Sequence, residues 1–133
     1  MQLAITPPCR EKIERLSKKS KTGYSTCLTD IKGFFGELPF DNALKTNRMI
    51  FRNEQFQINK IRIASSSTKD GKSSGYRAII LFDFVNKINV LLEFYPKFGP
   101  AAMKNLVPGW QKIIIPEYHQ ALLQHNLDFE YLS

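Results

Sequence analysis

The rhythm of hydrophobic and polar positions changes near residue 50. Before it, Cys9, Ile13 and Leu16 recur at helical spacing in an otherwise basic segment that opens with Pro7 and Pro8, which predicts a short amphipathic helix from about Pro8 to Lys18. A loop with Gly23 follows. Ser25 or Thr26 is a candidate N-cap for a second helix, on which Cys27, Leu28, Ile31, Phe34 and Phe35 share one face and which should end at Gly36. Residues 37–48 have no clear period, and Pro39, Asp41, Asn42 and Asn47 mark a connecting loop or a frayed extra turn.

From Met49 the texture becomes strand-like. FQINKIRIA alternates, with Ile61 and Ile63 on one face and Lys60 and Arg62 on the other. The polar, glycine-containing loop SSSTKDGKSSG leads into YRAIILFDFV, a long strand apolar on much of both faces, and Asn86-Lys87 turns the chain into INVLLEFYPK. Beyond Pro96, Gly99, Pro100, Pro108, Gly109 and Pro116 interrupt short apolar pieces. IPEYHQALLQHNL predicts a last helix, with Pro116 in its first turn and Tyr118, Leu122 and His125 along a stripe. The expected class is α+β: two N-terminal helices packed on a small antiparallel sheet of three consecutive strands, and a C-terminal extension ending in a helix.

Composition narrows the classes. A chain of 133 residues with 43% hydrophobic residues fits one domain with a core of its own. No window has the run of apolar residues that a membrane span needs, and MQLAITPPCREK lacks the apolar core of a signal peptide, so a cytoplasmic location and no membrane partner are expected. Cys9 and Cys27 are too few for a disulfide framework and lack zinc-site companions, and read as reduced thiols in helices. Nineteen Lys and Arg against twelve Asp and Glu leave a net charge of +7, which favours a polyanionic partner.

Conventional catalytic motifs are poor. His119 and His125 do not have the i, i+4 spacing of a metal pair, KDGKSSG does not complete a P-loop and precedes a strand, and no nucleophile elbow occurs. No cofactor or metal is expected. The strongest constellation comes from strand parity. If Ile61 and Ile63 face the core, so do Ala78, Ile80, Phe82 and Phe84 on the next strand and Val90, Leu92 and Phe94 on the last; Lys60, Arg62, Arg77, Glu93, Tyr95 and Lys97 then gather on the opposite face. Guanidinium forks, lysine charge and an aromatic ring suit a phosphodiester, and in RNA the 2′-hydroxyl supplies the nucleophile, so positioning, charge neutralisation and two proton transfers suffice without a metal. Cations that merely solvate an exposed sheet face are the competing explanation.

The segment from Phe56 to Lys97 resembles the core of the RelE/HigB-like toxins of bacterial type II toxin–antitoxin systems. The likeness lies in a basic strand, the turn Gly71-Lys72-Ser73-Ser74-Gly75-Tyr76-Arg77, an Ile- and Leu-rich strand, a short hairpin, and a strand ending Tyr95-Pro96-Lys97. It covers roughly residues 49–106 and implies one RelE-like toxin domain over 1–133, with a core at 1–106 and an extension at 107–133. It further implies a ribosome-dependent mRNA endoribonuclease, whose partners are mRNA on the ribosome and a cognate antitoxin protein, with no small-molecule cofactor. By position, the resemblance makes Lys60, Arg62, Arg77, Tyr95 and Lys97 the catalytic set: Arg77 and Arg62 on the scissile phosphate, Lys60 or Lys97 in proton transfer, Tyr95 stacking on or orienting a base. Lys69, Lys72, Tyr76 and Lys104 would be further RNA contacts, and Glu93 either a base or, the favoured alternative, a salt-bridge partner of Arg77. Ser74 stands where the family usually has a second glycine, and no histidine lies at the end of the sheet. The alternative is a non-catalytic RNA- or ribosome-binding protein of the same fold. An antitoxin or DNA-binding repressor is disfavoured by the lack of a helix-turn-helix pair with a basic recognition helix.

Overall fold

The computed structural model describes residues 2–18, 23–36, 45, 48–67 and 75–131. Among the described residues the fold is α+β, with three helices and a six-stranded, mostly antiparallel sheet. In chain order the elements are β1 (Gln2–Ile5), α1 (Pro7–Ser17), α2 (Cys27–Gly36), β2 (Arg48–Arg52), β3 (Phe56–Ile63), β4 (Tyr76–Asp83), β5 (Ile88–Pro96), α3 (Gln111–Leu123) and β6 (Asp128–Tyr131). The sheet order is β2-β3-β4-β5-β1-β6, and among these described strands only the β1–β5 pair is parallel.

The expected helices and three central strands are present, but the sheet has three further strands. A strand precedes the helices, and the C-terminal extension ends in β6 rather than in a helix. Leu3, Ala4 and Ile5 of β1 are all fully buried because this strand lies inside the sheet, covered on both faces. The last helix begins at Gln111, upstream of the expected start, so Pro116 lies inside it rather than in its first turn. Proline has no N–H to offer the carbonyl one turn back, but that residue, Lys112, is exposed and water can satisfy it.

Both faces of the sheet are covered. On one, Cys9, Ile13 and Leu16 of α1 and Cys27, Ile31 and Phe35 of α2 pack on Ile61, Ile63, Ala78, Ile80, Phe82 and Phe94. On the other, Ile114 and Tyr118 of α3 pack on Ile58, Ile79, Leu81, Val90 and Leu92. The Tyr118 hydroxyl donates to Asp83 Oδ2 at 2.6 Å and fastens α3 to the end of β4. Arg10 and Asp128 pair at 2.6 Å, joining α1 to β6.

Strict alternation fails in β5. Ile80 pairs with Leu91 while Ile79 pairs with Glu93, so Leu92 is an extra residue in the ladder. Val90 and Leu92 therefore belong to the α3 side, not to the core under α1 and α2 as parity alone implied. The extra residue restores the expected orientation downstream. Phe94 faces α1 and α2, and Tyr95 pairs with Arg77 on the opposite face.

Candidate nucleic-acid interface

The α3 side of the sheet is not covered along its whole length. Where β3 ends and β4 begins, two rows of basic side chains come together. Arg48 of β2 pairs with Lys60 of β3, and one step further along Arg62 pairs with Arg77, which pairs in turn with Tyr95. Pairing places residues on the same face, so the ladder itself builds the cluster. Arg48, Lys60, Arg62, Arg77 and Lys97 line a cavity of about 430 Å³, and among the described residues no carboxylate joins that lining.

Arg77 forms the buried centre, 7% exposed, whereas Arg62 and Arg48 are open to solvent. Its guanidinium donates to the Tyr76 carbonyl at 3.2 Å. Tyr95 is fully buried. Lys60 Nζ lies 6.0 Å and Lys97 Nζ 5.8 Å from the centre of its ring, within reach of the cation–π attraction. Lys97 also donates from Nζ to the Lys104 carbonyl.

Like charges at this density disfavour their own protonation. Burial, then Arg77, Arg48 and Arg62, hold the Lys60 pKa below its ordinary value. Burial and the neighbouring cations Arg77, Lys60, Lys104 and Arg62 lower that of Lys97, and burial with Arg62 lowers that of Arg77. An anion entering the cavity reverses this repulsion.

Gly75 controls the approach to Arg77. A Cβ there would lie 2.2 Å from the Ile63 carbonyl oxygen and 3.1 Å from Ala64 Cα, so only glycine lets the chain enter β4 this close to the end of β3. The Gly75 carbonyl accepts from the Lys97 N–H at 2.8 Å, tying the start of β4 to the end of β5.

The structure thus brings Lys60, Arg62, Arg77, Tyr95 and Lys97 together and adds Arg48, which the sequence reading missed because β2 was not recognised. The signal was RMIFR followed by Asn53-Glu54 and then a strand, with Asn53 Oδ1 accepting from the Gln55 and Phe56 amides at 2.8 Å each. Three expectations are corrected. Tyr76 is no RNA contact: it faces α1 and α2, fully buried, with its ring 4.7 Å from that of Phe94. Tyr95 offers no open face for stacking, since its ring is buried beneath the lysines. Glu93 pairs with Lys12 of α1 at 2.9 Å, not with Arg77. Lys104 is exposed near Lys97 but is not part of the cavity lining. Lys69 and Lys72, with residues 68–74 of the turn, lie outside the described residues.

Cys9 and Cys27 are free, buried thiols; burial raises the Cys9 pKa out of the reactive range and that of Cys27 to about 11. Among the described residues no group of three or more His, Cys, Asp or Glu could hold a metal ion, and no helix is long and apolar enough to cross a membrane. No family model, curated protein or solved structure matches the chain.

Proposed function

We propose that this protein is the toxin of a type II toxin–antitoxin pair, a RelE-like, ribosome-dependent endoribonuclease acting on mRNA in the cytoplasm. The observation that carries the reading is the five-cation cavity of Arg48, Lys60, Arg62, Arg77 and Lys97, with no carboxylate among its described lining residues. Such a cavity suits a backbone phosphate and repels cationic ligands. The two helices that precede the central strands agree with the architecture the resemblance implies.

In the proposed reaction Arg77 and Arg62 hold the non-bridging oxygens of the scissile phosphate. The 2′-oxygen attacks phosphorus and the bond from phosphorus to the 5′-oxygen breaks, leaving a 2′,3′-cyclic phosphate and a 5′-hydroxyl. Lys60 or Lys97 accepts the 2′ proton and supplies one to the leaving oxygen; a lowered lysine pKa brings both states nearer to neutral pH, where acid–base catalysis works best. The cognate antitoxin covers the same basic face.

A second reading has its own support: the described residues lining the cavity include no imidazole or carboxylate. A non-catalytic RNA- or ribosome-binding protein would need no better base. Induced expression separates the two. Endonuclease activity predicts growth arrest, mRNA cleaved on ribosomes and relief by a co-expressed antitoxin, with Arg77→Ala lowering the cleavage rate by about a hundredfold or more. Intact mRNA with the wild-type protein bound to ribosomes gives precedence to the binding module. Undiminished cleavage by a folded Arg77→Ala variant removes Arg77 from the mechanism.

A further inference from the structure

A second pocket adjoins the cation cavity and shares two of its residues. Arg48 and Lys60 line both, and Ile79, Trp110, Asn105 and Gln111 complete a space of about 240 Å³. This is somewhat below the roughly 300 to 1,000 Å³ of sites for whole drug-sized ligands, and so suits one ring system rather than several. Its lining combines two cations, the apolar side chains of Ile50, Ile79 and Leu106, an indole and two primary amides.

Trp110 is well placed to act as a fixed surface. It is half-buried, immediately precedes α3 and packs against the core beneath that helix, and its backbone is held by its amide N–H donating to the Val107 carbonyl at 3.2 Å and its carbonyl accepting from the Ile114 amide at 2.9 Å. Asn105 and Gln111 are exposed, and each carries both a donor and an acceptor, the combination found along the hydrogen-bonding edges of the nucleobases. A phosphate seated against Arg48 and Lys60 lies in contact with a pocket that the indole also lines.

We infer that this pocket is a nucleobase subsite: the base of a nucleotide whose phosphate occupies the cation cavity stacks on Trp110, with Asn105 and Gln111 facing its edge. The inference rests on the RNA reading above and adds a base-recognition element to it. It also replaces Tyr95, whose buried ring cannot stack, with a residue from the C-terminal extension.

Trp110 is the chain's one tryptophan, so its emission reports on the pocket directly. The full-length protein is titrated with a short 2′-O-methyl oligoribonucleotide, which cannot be cleaved through its 2′-oxygen, and with an abasic oligonucleotide of equal phosphate count. The base-bearing strand should quench Trp110 and bind about tenfold or more tightly than the abasic one. Trp110→Leu should erase that difference, Trp110→Phe should keep most of it, and both variants should melt near the wild-type temperature. Equal binding of the two strands with unchanged emission overturns the subsite while leaving the cation cavity as a phosphate site. Failure of both strands to bind overturns the RNA reading and the subsite with it. Equal quenching by a polyglutamate peptide overturns the nucleobase assignment in favour of an acidic protein partner.

Discussion

Lys60 illustrates what the cluster costs the free protein. Its folded pKa is held below the ordinary 10.5 by burial and by Arg77, Arg48 and Arg62, so its protonated form is disfavoured by its neighbours. The unfolded chain then binds protons more readily than the folded one, and stability rises as the pH climbs through the folded pKa toward 10.5. That window is alkaline. RNA binding should run the other way, weakening between neutral pH and pH values near 10 as the lysine charge is lost. Lys60→Met keeps an unbranched stem beside Tyr95 and removes the charge; it should stabilise the free protein by about 0.5 kcal/mol at low salt while weakening RNA binding. Thermal melts in low and high salt test this, since screening should erase the gain. An unchanged or lower stability at low salt would show that the repulsion is already relieved by other means.

At the scale of the elements, the sheet is set by two local departures from regularity. Gly75 permits the close passage of β4 beside β3, and Gly75→Ala should cost about 1 to 3 kcal/mol through overpacking against Ile63 and Ala64. Urea denaturation measures that cost; phosphate binding should fall with it, because Arg77 is two residues downstream. A variant as stable as the wild type would mean that the crossing of the strands relaxes freely. On the other side of the sheet, Tyr118→Phe removes the hydrogen bond to Asp83 and should cost about 1.5 to 3 kcal/mol. Burial raises the Asp83 pKa, but donors from Asn86, Tyr118 and Val85 outweigh it and hold the carboxyl below its ordinary 3.8. Its contribution is therefore full above that value and lost as pH falls through the folded pKa, so the wild type should lose more stability on acidification than Tyr118→Phe. The second departure, the extra residue Leu92, was invisible in the sequence. Val90, Leu92 and Phe94 alternate without a break in hydrophobic character, and since α1 and α2 cover one face while α3 covers the other, no polar residue marks the slip. The helices α1 and α2 were legible almost to the residue because their outer faces meet water. Strand β1 was not, because burial on both faces left Leu3, Ala4 and Ile5 without alternation.

Across the whole molecule, the excess of +7 charges was plain from composition, but its distribution had to be inferred from parity. Parity placed Lys60, Arg62, Arg77 and Lys97 together because the β3–β4 ladder runs without a slip through that region. Arg48 escaped it, lying on a short edge strand whose own register shifts between Met49 and Phe51. The cluster makes a quantitative demand on how the protein meets a polyanion. The logarithm of the association constant should fall with the logarithm of salt concentration with a slope of about −0.7 for each phosphate of a single strand that is neutralised, and the cavity cations should carry most of that slope. Arg77→Ala should make that slope shallower by about 0.7. Lys87→Asn should leave it unchanged, because Lys87 sits in the turn at the opposite end of the β4–β5 hairpin and asparagine tolerates its positive φ of 56°. Equal loss of slope in both variants would mean that RNA responds to the overall charge of the protein and not to the cavity.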